Sequence, residues 1–147
     1  MAKIESFEDL ECYRSARALR RKIATWAGTL PKTEEYRLKD QVLRAARSVT
    51  ANIAEGFGRQ HPQENLQYCR QARGSLCELL DHLNVAVDEN FIDQTILAEM
   101  REAWSETKGI LGGYISYLET RTTRDRRFLT RADRSKSAAT RQRATHS

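Results

Sequence analysis

Apolar residues recur at steps of three and four along four separate stretches of the chain, the spacing that lines one face of an α-helix. Phe7, Leu10, Tyr13, Ala16, Leu19, Ile23, Trp26 and Leu30 mark the first, predicted from about Ser6 to Thr29 and closed by Gly28 and Pro31. The second opens with Thr33 as cap and Glu34 and Glu35 in its first turn. It buries Leu38, Val42, Ala45, Val49 and Ile53, and ends at Gly56. A third helix starts at Pro62, carries the seam Leu66, Cys69, Arg73, Leu76, Leu80, Leu83 and Val87, and stops at Asn90. Asp93 caps the fourth, with Ile92 and Leu97 at staple positions, followed by Met100, Trp104, Thr107, Leu111, Tyr114 and Leu118.

Connections of a few residues between long helices make neighbours antiparallel, so the pattern predicts an all-α, up-down-up-down four-helix bundle over residues 1–120. Trp26, Tyr68, Trp104 and Tyr117 exceed what one narrow seam accommodates, which predicts an oligomer. Gly74 falls inside the third helix, where glycine costs about 1 kcal/mol relative to alanine, and close helix approach is the expected compensation.

The composition agrees with helices: 147 residues with only 7 Gly and 2 Pro leave few turns for a sandwich or barrel. No apolar run reaches the length of a membrane span and the N-terminal residues lack a signal-peptide core, so a cytoplasmic protein without membrane contact is expected. Cys12, Cys69 and Cys77 form neither a disulfide framework nor a zinc motif.

Charge is unevenly spread. Residues 121–147 hold Arg121, Arg124, Arg126, Arg127, Arg131, Arg134, Lys136, Arg141 and Arg143 against two Asp, a formal +7, which leaves −2 for the preceding 120 residues. Apolar periodicity fails there, and the segment reads as a mostly disordered basic arm. Arg14, Arg17 and Arg21 add a basic face on the first helix. Dense guanidinium groups suit phosphate contacts in RNA or single-stranded DNA, although the same pattern serves solubility alone.

On the second helix Gln41, Arg44, Ser48, Asn52 and Glu55 form a polar strip beside the core edge, either a solvated flank or a hydrogen-bond network. Gly74, Ser75 and Glu78 are candidates to complete it. Catalysis is not expected. His61, His82 and His146 lack metal-ligand spacing, Ser75 and Cys77 lack a base, and Gly56-Phe57-Gly58-Arg59 lacks the lysine of a phosphate loop. No cofactor is implied.

The segments Phe7-Glu8-Asp9-Leu10, Leu30-Pro31-Lys32-Thr33-Glu34-Glu35-Tyr36-Arg37-Leu38, Gln41-Val42-Leu43-Arg44-Ala45-Ala46-Arg47-Ser48-Val49, Asn52-Ile53-Ala54-Glu55-Gly56 and Gly74-Ser75-Leu76-Cys77-Glu78-Leu79 resemble the bacterial four-helix-bundle proteins encoded in intervening sequences of 23S ribosomal RNA genes. The resemblance covers about residues 7–118. It implies a homopentameric ring without cofactor, with basic surfaces that meet nucleic acid or a nucleic-acid enzyme. The fold family includes the accessory variability determinant of diversity-generating retroelements, a non-catalytic partner of a reverse transcriptase. The resemblance also implies a structural network for the strip on the second helix, while the basic arm departs from the family's usual length. Two expectations follow: a nucleic-acid-binding oligomeric accessory protein, or a protein-protein scaffold whose charge serves solubility.

Overall fold

The computed structural model describes residues 3–144, with side chains described as far as Arg124. Four helices, α1 (Glu11–Ala27), α2 (Leu38–Gly58), α3 (Pro62–Asp88) and α4 (Gln94–Ala144), are joined by short connections, and no strand occurs among the described residues. Within this four-helix bundle α1 packs on α2 and α4, and α3 packs on the same two. The core is one continuous cluster to which every helix contributes, including Leu19 and Ile23, Val42 and Ile53, Leu76 and Leu83, and Leu111 and Leu118.

Local chemistry sets boundaries that the apolar period does not. Helix α1 begins at Glu11, not Ser6, because Phe7–Asp9 forms a separate 3-10 turn. Ser6 caps that turn: its Oγ accepts from the Glu8 amide at 3.1 Å, and the Asp9 carboxylate accepts from the Ser6 amide at 3.1 Å. The amides of Glu5 and Ser6 together hold the Asp9 carboxyl below its ordinary pKa.

Helix α2 begins at Leu38, five residues after the predicted Thr33 cap, because Lys32–Glu34 forms another 3-10 turn. The capping oxygen belongs to Glu34, whose buried carboxylate accepts from the Leu38 amide at 3.2 Å. Its other end also moves. Gly56 is interior to α2, and the left-handed residue that terminates the helix is Gln60, at φ 59°. At the end of α3, Asn90 takes the same conformation, with Asn90 N–H on Val87 O at 3.2 Å and Phe91 N–H on Ala86 O at 2.8 Å, a Schellman closure. Phe91 O then accepts from Trp26 Nε1 at 3.2 Å, tying the end of α3 to α1.

The seam of α3 is rotated from the predicted one. Leu66, Cys69, Ala72, Leu76, Leu79, Leu83 and Ala86 are buried, while Arg73 and Val87 are exposed and Leu80 is half-buried. Small alanines at 72 and 86 let the neighbouring helices approach, and Arg73 keeps its charge in water. In α4 the seam runs Met100, Trp104, Thr107, Leu111, Ile115 and Leu118, with Tyr114 at its edge. Asp93 caps this helix, its Oδ1 accepting from the Thr95 amide at 2.8 Å.

The tryptophans do not require a second subunit. Trp26 and Trp104 are buried inside one bundle, and Trp104 Nε1 donates to Leu76 O at 2.7 Å. Of the four aromatics that pointed to an oligomer, only Tyr117 is exposed. The arm expected to be disordered from residue 121 instead continues α4 in helical conformation as far as Ala144, with side chains described only to Arg124.

Candidate functional site

The basic face of α1 lies opposite its core stripe. Arg14, Arg17 and Arg21 are three and four residues apart and all exposed, so their side chains stand along about 10 Å of helix axis. Arg14 is partly engaged, with Nε donating to Glu8 O at 3.0 Å and a 3.7 Å contact to the Asp9 carboxylate. Arg17 and Arg21 have no carboxylate within ion-pair distance among the described residues. Arg20 was not singled out by the sequence pattern. It leans from α1 onto α2, where Nη1 donates to Thr50 Oγ1 at 2.8 Å and Thr50 donates in turn to Arg47 O at 3.1 Å. Arg47 is exposed beside that contact, so positive charge extends from α1 onto α2.

The polar strip of α2 divides into two kinds of residue. Ser48, Asn52 and Ser75 are brought together between α2 and α3, where Asn52 Nδ2 donates to Ser48 Oγ at 3.1 Å, the two serine hydroxyls are 2.8 Å apart, and Ser75 donates to Gln71 O at 3.2 Å. Either serine hydroxyl can donate to the other, and the shared hydrogen bond joins α2 to α3.

Gln41, Arg44 and Glu55 face solvent. Arg44 pairs with Asp40 at 3.1 Å and Glu55 with Arg59 at 2.9 Å, each one turn away on its own helix. Glu78 meets His82 at 3.3 Å, and Gly74 is exposed with open space where a Cβ would stand. The close approach expected at Gly74 occurs at Gly56.

At the other end of the bundle lies a grouping that periodicity hides. Asn65 Nδ2 donates to Tyr114 Oη at 3.0 Å, Tyr114 and Tyr117 lie near-parallel with ring centroids 6.1 Å apart, and the Arg121 guanidinium sits 5.8 Å from the Tyr117 ring centre. Burial pushes the Tyr114 phenol up to about 12, so it stays a neutral hydroxyl. Tyr117 and Arg121 are one helical turn apart, a spacing visible in the sequence, whose aromatic excess assigns Tyr117 to a contact between copies instead.

Chemically, none of these groupings pairs a nucleophile with a base. No cluster of three or more His, Cys, Asp or Glu is placed to hold a metal among the described residues, and no helix among them is long and apolar enough to cross a membrane. Arg124 is exposed. Arg126, Arg127, Arg131, Arg134, Lys136, Arg141 and Arg143 lie outside the residues whose side chains are described.

The family described as 23S rRNA-intervening sequence protein matches residues 8–113, nearly the whole bundle from the Ser6-capped turn to the middle of α4. The chain belongs to this family. No curated protein matches it. The family match contains Arg14, Arg17, Arg21 and the complete Ser48–Asn52–Ser75 chain. Tyr114, Tyr117 and the basic arm lie beyond its last matched residue.

Proposed function

We propose that this 23S rRNA-intervening sequence protein is a non-catalytic, homo-oligomeric accessory protein that binds RNA or single-stranded DNA in the cytoplasm. The observation that carries the reading is the solvent face of α1, where Arg17 and Arg21 stand exposed without carboxylate partners among the described residues. The arm, with its formal +7, adds density of charge. Phosphates displace counterions from such groups without needing a fixed pocket.

In this reading the helices alternate in direction. The pairings of Asn84 with Arg101 at 3.1 Å and Asn65 with Tyr114 at 3.0 Å support it, because position rises along α3 as it falls along α4. The subunits assemble as the homopentameric ring that the family resemblance implies. Several arms on one particle would strengthen contacts that are individually weak. The protein partner is a nucleic-acid enzyme of the reverse transcriptase class in a retroelement setting, or the host is an interrupted ribosomal RNA gene. Neighbouring genes distinguish the two.

Fluorescence anisotropy across a salt series tests the reading. Full-length protein should bind single-stranded oligonucleotides with little sequence preference and a steep salt dependence. Removing residues 121–147 should weaken binding and flatten the slope, and replacing Arg14, Arg17 and Arg21 with Ala should give a smaller loss. Equal affinity and slope for full-length and truncated protein would favour a protein-protein scaffold, and sedimentation equilibrium giving a monomer would remove the ring.

A further inference from the structure

We propose that Tyr117 and Arg121 form a stacking site for one base of a single-stranded nucleic acid at the point where the basic arm leaves the bundle. The proposal rests on the nucleic-acid reading above and assigns it a site that neither the α1 face nor the charge of the arm supplies.

Tyr117 is 53% exposed, although its ring carries enough apolar surface to favour burial. It is held where it stands from both directions along α4. Tyr114, half-buried and fixed through its hydroxyl to Asn65, lies near-parallel to it at 22° with ring centres 6.1 Å apart. The Arg121 guanidinium lies 5.8 Å from the Tyr117 ring centre, and these contacts leave about half of Tyr117 open to a base. A ring ordered before binding gives up little side-chain entropy when a base stacks on it. Every base has a π-face, so such a platform accepts any sequence, and an arginine plane beside the ring extends the stack.

Other cation–aromatic pairs in the bundle are differently committed. Arg59 lies 5.3 Å from the Tyr68 ring centre but is neutralised by Glu55 at 2.9 Å, and the Trp104 ring beneath Lys108 is buried. The carboxylate nearest in sequence to Arg121, that of Glu119, pairs with Arg70 at 3.3 Å. Among the residues whose side chains are described, no carboxylate lies within ion-pair distance of Arg121; Asp125, one turn further on, is outside them.

Space is available beside Arg121. With Tyr114, Gln60 and His61 it lines a cleft of about 250 Å3, next to Tyr117, which is not itself part of the lining. Glu5 on the same wall repels phosphate. A base stacked on Tyr117 has Arg121 and, one turn further along α4, the exposed Arg124 within reach of its phosphate, followed by the basic residues of the arm. An acidic protein partner would use the same charges but has no need of the exposed ring, and this favours nucleic acid.

The test uses the full chain and a short single-stranded oligonucleotide, as RNA and as DNA, carrying one 2-aminopurine. Anisotropy reports affinity and the 2-aminopurine emission reports stacking. Tyr117→Ala and Tyr117→Leu should each weaken binding by about fivefold or more, the low end for losing one base–aromatic stack, and abolish the emission change while leaving the salt slope unaltered. Tyr117→Phe should retain both signals, and Arg121→Ala should weaken binding with a shallower slope. Tyr117→Leu keeps bulk and helix preference, so comparing it with Tyr117→Phe isolates the π-face even if the alanine variant folds poorly. Wild-type affinity and emission in the Leu variant would overturn the stacking site and leave the nucleic-acid reading standing on α1 and the arm. A flattened salt slope in that variant would overturn it too, since the loss would be electrostatic. No binding by the unaltered protein would remove both.

Discussion

Gly56 of α2 lies against Asn65 of α3 so closely that a Cβ at position 56 would stand 2.7 Å from Asn65 Oδ1 and 3.0 Å from the Asn65 carbonyl oxygen. The same Asn65 donates to Tyr114, so this close approach of α2 to α3 also reaches α4. Gly56→Ala should therefore destabilise the bundle: overpacking against a backbone oxygen costs about 1–3 kcal/mol and outweighs the better helix propensity of alanine. Gly74→Ala meets open space and should stabilise by about 1 kcal/mol. Thermal denaturation of the two variants should give shifts of opposite sign. A loss at Gly74→Ala would mean that another copy of the chain packs there.

Glu34 is a charged residue at 8% exposure, and the Leu38 amide is the partner that accounts for it. Removing that acceptor in Glu34→Ala should cost about 1 kcal/mol, as for other helix N-caps, and shift the melting midpoint down. Glu34→Gln retains an oxygen acceptor and should lose less. Equal midpoints for all three proteins would show that the carboxylate does not cap α2.

The strip on α2 should separate under mutation into fold and surface. Ser48→Ala breaks the hydrogen bond that joins α2 to α3 and should cost about 1 kcal/mol, and a double-mutant cycle with Ser75→Ala should give a coupling of about 0.5–1.5 kcal/mol. Arg44→Ala and Glu55→Ala remove exposed pairs with Asp40 and Arg59 and should change chain stability by less than about 1 kcal/mol. Sedimentation of these two variants reads any further role, since a shift in oligomer mass without a shift in chain stability would assign them to a contact between copies.

Thiol chemistry should distinguish one cysteine from two. Cys77 is exposed, whereas Cys12 and Cys69 are buried, and burial pushes their thiols up to about 12 and about 11. A disulfide reagent at neutral pH should titrate one thiol quickly and two only on unfolding, with Cys77→Ser removing the fast phase. Because the folded pKa values of Cys12, Cys69 and Tyr114 lie above their ordinary values, the folded state holds protons that the unfolded chain releases. Stability should hold below about pH 9 and fall as pH rises toward 12. Melting midpoints that stay level across that range would contradict burial of these groups.

Much of the architecture was legible in spacing alone. Val42, Val49, Ile53, Leu111 and Leu118 fall on apolar faces because a helix returns to the same side every three or four residues, and each is buried. Asp93 and Asn90 act where the pattern puts them because caps are local chemistry. Periodicity could not decide between Arg73 and Ala72 on α3, since one residue of rotation moves a seam by less than a third of a turn and only the neighbouring helices select it. Glycine roles depend equally on what lies opposite: Gly56 and Gly74 look alike along the chain, but only Gly56 faces Asn65 and Tyr68. The strip residues Ser48 and Arg44 likewise share a helix face, yet Ser48 meets Ser75 across a helix boundary while Arg44 meets its own helix and water. The family, the helices and the placement of charge follow from the order of residues. Tertiary contact alone decides which polar groups are joined, because a hydrogen bond requires two atoms about 3 Å apart, and linear spacing sets that distance only within one helix.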